Sequence, residues 1–232
     1  MTTPDHPITA RWPAQHPERL QLYSFPTPNG VKVSIMLEET GLPYEVHRVS
    51  LLDNETRSDA FLALNPNGKI PAIIDPDGPD GEPLALFESG AILLYLAEKT
   101  GMFLGETAHE RAAVTQWLMF QMGGVGPMFG QMGYFFKFAG SEIEDPRPRE
   151  RYLTETARLL RVVENRLADR EWIAGPYSIA DIALGPWINA LEFYGVKEAI
   201  GWDSFPGVQA YLKRFLDRPA VQSGLVVPPR EG

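Results

Sequence analysis

No cysteine occurs among the 232 residues of this chain. That absence excludes disulfides, thiolate metal sites and any nucleophilic thiol belonging to the protein. It leaves thiol chemistry open, because a bound ligand can carry the sulfur. Histidine is scarce as well. His6, His16, His47 and His109 stand apart, with no pair at the spacing by which a helix face grips an ion, so no metal site is expected. Cations are in deficit: 21 Lys and Arg against 30 Asp and Glu give a formal charge of -9. Phosphate neutralisation needs clustered Lys and Arg, so a nucleic-acid partner is not expected. No apolar run approaches the ~20 residues that span a bilayer, and no membrane association is expected. Residues 1–19 are polar and proline-rich and lack the apolar centre of a secretory signal, which points to the cytoplasm.

What is present is ample apolar material. At 44% hydrophobic residues the chain can build a proper core, and its length suits one large domain or two modest ones. Residues 1–19 read as an extended N-terminal arm. Alternation over 19–24 predicts a strand, and Pro26-Thr27-Pro28-Asn29-Gly30 breaks it. A helix is predicted over 31–40, ended by Gly41. A strand over 44–49, a short helix over 58–64 and a strand over 70–74 follow. The loop 75–81 is rich in turn residues; after it come a strand over 84–87 and a helix over 89–99. This βαβαββα order is the thioredoxin-like arrangement, expected over residues 20–100. Strand signals then vanish. Helical patterns over 107–121, 149–167, 179–194 and 208–216 predict an all-α C-terminal bundle over 107–232, with 100–106 as linker.

Three segments carry candidate chemistry. The first is Asn65-Pro66-Asn67-Gly68-Lys69-Ile70-Pro71. A proline opening a strand that should be central is unusual, because it cannot donate to the ladder. A cis Ile70-Pro71 bond resolves this by turning the Ile70 backbone sideways, where an extended peptide can pair with it. The competing reading is a trans proline on an edge strand. The second segment is Phe87-Glu88-Ser89-Gly90. Ser89 opens a helix whose first N–H groups lack partners and suit a carboxylate, while Glu88 beside them suits an ammonium. One carboxylate and one ammonium on a common carbon make an α-amino-acid head. The competing reading is a plain helix cap with Glu88 in water. Lys69 is placed to meet a terminal carboxylate at the other end.

The third segment is the turn Thr27-Pro28-Asn29-Gly30. A thiol held there meets helix N-terminal N–H groups, which favour thiolate. The Thr27 hydroxyl and Asn29 amide are short donors within reach of such a sulfur. Asn29 also suits a helix cap, and Thr27 an ordinary turn. Tyr23 and Ser24 are rival donors. They point to opposite faces of one strand, so at most one of them serves.

These segments are not isolated. Leu22-Tyr23-Ser24-Phe25-Pro26-Thr27-Pro28-Asn29-Gly30, Leu37-Glu38-Glu39 and Leu86-Phe87-Glu88-Ser89-Gly90-Ala91-Ile92-Leu93-Leu94-Tyr95-Leu96-Ala97-Glu98-Lys99-Thr100-Gly101 form one set. Gln121-Met122-Gly123-Gly124-Val125-Gly126-Pro127-Met128, Glu150-Arg151-Tyr152 and Tyr177-Ser178-Ile179-Ala180-Asp181-Ile182-Ala183 continue it. Over about residues 20–220 the chain resembles the nu-class bacterial glutathione transferases. The resemblance implies a homodimer of thioredoxin-like plus helical domains, with glutathione as substrate in the cleft between them. It implies a glutathione-dependent disulfide oxidoreductase, with Thr27 and Asn29 flanking the ligand sulfur. Lys69, Ile70, Pro71, Glu88, Ser89 and Arg151 are then the glutathione contacts. A glutathione-conjugating transferase or ether-cleaving lyase is the alternative, and a non-catalytic glutathione-binding regulator a second one.

The chain departs from the family pattern in two places. Near Thr56 the loop 53–57 lacks an expected glutamine at the glycyl end, and the stretch 133–138 is unusually aromatic. A second-substrate pocket is expected from Gln121, Met128, Phe129 and Tyr134. Their glycine-rich surroundings suit either a soft pocket wall or close helix packing at a dimer interface. Ser178 and Asp181 read as a capping box with Tyr177 as its staple, a folding element rather than a catalytic one.

Overall fold

The computed structural model describes residues 6–138, 140 and 142–230. They divide into two compact units, one made of the chain up to Thr100 together with Pro219 onward, the other running from Gly101 to Arg218. The first unit is thioredoxin-like. Its four strands are β1 (Leu20–Ser24), β2 (Tyr44–Arg48), β3 (Ala72–Asp75) and β4 (Leu84–Phe87), in the order β2-β1-β3-β4. β1 and β2 are parallel, so the chain must cross over between them, and α1 (Gly30–Thr40) makes that crossover. β3 runs antiparallel to both β1 and β4. Helices α2 (Asp59–Leu64) and α3 (Ser89–Thr100) complete the predicted order.

Two chain ends pack differently from the sequence expectation. Residues 6–19 are not a loose extended arm; residues 1–5 of that arm lie outside the described residues. A 3-10 turn at Pro7–Ala10 drives Ile8 into the core cluster with Tyr23, Phe61 and Ile74, and Trp12 packs on the same cluster. The indole N–H of Trp12 donates to the Arg48 carbonyl at 3.1 Å, and Arg11 pairs with Glu55 at 2.7 Å. At the other end, α9 (Pro219–Gly224) belongs to the first unit, not to the helical half that the pattern over 107–232 suggests. Gly224 lies so close to α1 that a Cβ there would sit 2.5 Å from the Cα of Ile35, and the Ser34 hydroxyl donates to the Gly224 carbonyl at 2.6 Å. Helix α1, with the sheet, α3 and α9 packed around it, is therefore buried continuously from Gly30 to Leu37.

The second unit is helical: α4 (Ala108–Phe120), α5 (Gly126–Gly133), α6 (Arg147–Arg166), α7 (Ile179–Tyr194) and α8 (Pro206–Leu216). Residues 101–106 belong to this unit rather than forming a free linker, since the Phe103 carbonyl accepts the Ile179 N–H at 3.0 Å. The glycine-rich piece does not interrupt the helical path. π-helical turns at Gln121–Val125 and Tyr134–Phe138 carry it through. Gly133 lies against Tyr194 of α7, where a Cβ would sit 2.5 Å from the ring. No helix among the described residues is long and apolar enough to cross a membrane.

α7 is held at its start by the expected capping box. The Asp181 carboxylate accepts from the Ser178 N–H at 3.0 Å and also from the Ile173 N–H at 2.9 Å. Tyr177 packs edge-on against Phe103 and Trp172. Asp181 is fully buried, so its removal strands two N–H groups away from water. Asp181→Ala is expected to lose about 3 kcal/mol of stability. Urea unfolding checks this; an unchanged midpoint contradicts the role.

Candidate functional site

The sheet register decides which loops meet. Tyr23 of β1 pairs with Ala72 of β3, and Ala72 pairs with Phe87 of β4. The end of β1, the start of β3 and the end of β4 therefore form one row. The segments attached to that row are the three candidates: the turn 25–29, the pair Ile70-Pro71, and the corner Glu88-Ser89. Neighbouring strands lie ~4.8 Å apart, so three strand ends span ~10 Å. A three-residue extended peptide is about that long.

The turn after β1 is built on one hydroxyl. Thr27 Oγ1 accepts from the Gly30 N–H at 3.3 Å, and the Thr27 carbonyl accepts from Val31 at 3.0 Å. Accepting from the helix leaves the Thr27 O–H proton available to an outside partner. Asn29 sits in the helical region and its side chain makes no capping bond, so capping is Thr27's task. Both residues are half-buried. Gly30 is obligatory here: a Cβ would lie 1.9 Å from the Phe25 carbonyl oxygen.

Ile70-Pro71 is a cis peptide bond, as the sequence suggests. The strand begins at Ala72 rather than at Ile70, so Pro71 removes no ladder donor. The backbone of Ile70 joins no ladder among the described residues. The preceding loop is braced by Asn65, whose amide donates to the Lys69 carbonyl at 2.5 Å and whose oxygen accepts from Asn67 at 2.9 Å. The Lys69 side chain is exposed. Arg57 presses on Gly68, which has φ +63°; a Cβ there would lie 2.8 Å from the guanidinium. Where the family pattern expects a glutamine near Thr56, this chain brings Arg57.

At the third segment Glu88 is exposed and adopts φ +73°, a left-handed conformation that costs a non-glycine residue ~1–2 kcal/mol. Its carbonyl accepts the Ile92 N–H at 2.9 Å and so starts α3. Ser89, buried at the first turn, accepts a hydrogen bond at 3.2 Å from the ammonium of Lys32. Sequence reasoning passed over Lys32. Its signal is a cation in the first turn of a helix, where the dipole disfavours one, between Val31 and Val33.

Both rival donors, Tyr23 and Ser24, are buried. Tyr23 is wholly buried, stacked on His47 with ring centroids 4.6 Å apart and edge-on to Trp12 at 6.2 Å. Burial, then the Glu45 charge, pushes its phenol well above the ordinary range. Ser24 faces the other way, its Oγ 3.5 Å from the Phe25 carbonyl.

In the helical unit the expected pocket residues do not converge. Gln121 and Phe129 are interior. Met128 instead lines an open depression with Arg147, Glu150, Arg151 and Tyr152. Tyr134 is 50% exposed and packs edge-on to Phe135, whose ring stacks on Tyr152.

Comparison with known proteins agrees with this geometry. The model for the glutathione S-transferase N-terminal domain matches residues 18–98, and that for the C-terminal domain matches residues 128–219. The chain is 47% identical over 209 residues to the disulfide-bond oxidoreductase YfcG of Escherichia coli, covering 89% of this chain and 94% of that protein. Among solved structures, a glutathione transferase from Pseudomonas putida with one glutathione disulfide per subunit superposes with a TM-score of 0.95. It shares 59% identity and covers 96% of this chain and 97% of its own. One from Burkholderia graminis, with two glutathione molecules per subunit, gives a TM-score of 0.96 at 60% identity, covering 99% and 98%.

The Tyr23 hydroxyl is buried with no hydrogen-bond partner among the described residues. Tyr23→Phe removes that orphaned group, so it is expected to keep full activity and to gain up to about 1 kcal/mol of stability. Loss of activity in a folded Tyr23→Phe protein, followed by turnover and thermal melting, contradicts its placement in the core.

Proposed function

Since this chain belongs to the glutathione S-transferase family, we propose that it is a glutathione-dependent disulfide oxidoreductase. The observation that carries the proposal is the Tyr23–Ala72–Phe87 row, which aligns a thiolate-stabilising turn, a free backbone pair and an amino-acid-head corner on one sheet end. In this reading Ile70 pairs with the cysteinyl backbone of glutathione, Pro71 shapes that contact, and Glu88 with Ser89 and the α3 N-terminus receives the γ-glutamyl head. Lys69, and Arg57 beside Gly68, face the glycyl end. The Thr27 hydroxyl and Asn29 amide donate to the sulfur. Neither is a base, so they stabilise a thiolate rather than abstract its proton.

The chemistry is thiol–disulfide exchange. The thiolate attacks one sulfur of a disulfide; the old S–S bond breaks, a mixed disulfide forms, and the departing thiolate takes a proton. A second glutathione attacks the mixed disulfide, releasing the other thiol and glutathione disulfide. Two glutathiones are oxidised and one disulfide is reduced to two thiols. A protein without cysteine can run this cycle because both reacting thiols arrive with substrate. The same family membership supports a homodimer working in the cytoplasm.

The assay is turnover of a mixed glutathione disulfide with excess glutathione. Asn29→Ala is expected to lower kcat about tenfold or more with little change in KM, because it acts on the developing anion. Glu88→Ala is expected mainly to raise KM, by about tenfold. Identical behaviour of the two variants refutes this division of roles. Brisk conjugation of an aryl halide with no disulfide turnover overturns the proposed activity.

A further inference from the structure

The turn that carries Thr27 and Asn29 is folded around one carbonyl. The Phe25 oxygen accepts the Thr27 N–H at 2.7 Å, and a Cβ on Gly30 would lie 1.9 Å from it. Where Phe25 sits therefore decides where Thr27 and Asn29 stand. The Phe25 ring is half-buried and packs on the core cluster that holds Tyr23, Ile70 and Ala72. It also meets a cation: the guanidinium carbon of Arg48 is 5.3 Å from the ring centroid.

Arg48 is itself held at three points. It closes β2 opposite Ser24, and the next residue, Val49, donates to the Ser24 carbonyl at 2.9 Å. The Arg48 carbonyl accepts the indole N–H of Trp12 at 3.1 Å. Its Nη2 donates to the Arg230 carbonyl at 2.9 Å. Trp12, near one end of the described chain, and Arg230, at the other, thus meet at this one residue. A guanidinium suits the place, because its face can meet a ring while its edge donates. The placement has a cost. Arg48 Nε is buried with no hydrogen-bond partner among the described residues, a desolvation that a side chain turned into water would avoid.

Resting on the glutathione reading above, we propose that Arg48 is a positioning residue of the thiolate-stabilising turn. Stacked on Phe25 and held by Trp12 and by the backbone of Arg230, it fixes the carbonyl around which the turn folds. The Thr27 and Asn29 donors are thereby kept at the sulfur. Arg48 touches no reacting atom in this account; it acts through Phe25. A small displacement of donors aimed at a developing anion lowers the rate without loosening the grip on the rest of the ligand. The N-terminal arm and the C-terminal tail then serve turnover as well as packing.

The test follows turnover of a mixed glutathione disulfide, the thiolate-absorbance midpoint of bound glutathione, and calorimetric binding of S-methylglutathione, which has no thiol to titrate. Arg48→Thr removes the guanidinium while keeping a β-favouring residue in the strand. It is expected to lower kcat about fivefold, to move the thiol midpoint toward that of free glutathione, and to leave S-methylglutathione affinity within about twofold. Arg48→Lys keeps a cation for the ring and a donor for the Arg230 carbonyl, and is expected to recover most of the lost kcat. Phe25→Leu is expected to resemble Arg48→Thr, and the double variant to be no worse than the poorer single one. An unmoved thiol midpoint in Arg48→Thr, with or without a loss of urea stability, overturns the proposal and makes Arg48 a packing residue. Weakening of S-methylglutathione as large as the fall in kcat overturns it too, in favour of a ligand contact. Where Arg48→Thr does not fold, Phe25→Leu decides, and a wild-type midpoint there overturns the proposal. A wild type that fails to bind glutathione overturns the site reading itself, whereas failure of this inference alone shows only in the variants.

Discussion

The hydrogen-bonded row through Tyr23, Ala72 and Phe87 is the constraint on which the first unit's chemistry depends. Because side chains alternate along a strand, a slip of one residue in either pairing would turn the core set outward as well as misalign the loops. Burial of Leu22, Tyr23, Ala72 and Ile73 thus fixes the relative positions of Thr27, Ile70 and Glu88. The site is set by the same apolar burial that stabilises the sheet. No loop at this edge needs to be long, since each segment is delivered by the strand end it follows.

Several features at that edge run against local stability. Glu88 is held at positive φ, and Lys32 is buried where desolvation pushes its ammonium down to about 7. Natural sites concentrate such costs where geometry serves a ligand. The surrounding structure offsets them. α9 seals α1, the N-terminal turn seals the opposite face with Ile8 and Trp12, and the Asp75–Tyr95 hydrogen bond at 2.6 Å ties β3 to α3. The absence of cysteine fits this design: the scaffold supplies donors and charge, and the sulfur comes with the substrate.

How much of this could be read from the sequence depended on how local the cause was. Pro71, Gly30 and the pair Glu88-Ser89 announce themselves, because a proline at a strand start, a glycine after a turn and a serine at a helix start each have a backbone reason within a few residues. The seven elements from β1 to α3 emerge from periodicity for the same reason, with β3 displaced from 70 to 72 because Pro71 cannot join the ladder. The misreadings concern distant partners. Nothing near residue 220 says that Gly224 must lie on Ile35, and nothing near residue 8 says that Ile8 must meet Phe61. The burial of Lys32 was missed because it is imposed from far along the chain. In the helical unit, composition cannot tell an inward-facing side from an outward one, and Gln121 and Phe129 are interior.

The central claim is that this sheet end binds glutathione and keeps its thiol ionised. Thiolate absorbance in the ultraviolet, followed across a pH titration of the saturated complex, reads that claim directly, since the protein has no thiol of its own to confuse the signal. The account predicts a thiol midpoint for bound glutathione well below that of the free tripeptide, moving back toward the free value in Asn29→Ala. A midpoint equal to that of free glutathione, at concentrations where binding is saturated, would contradict it.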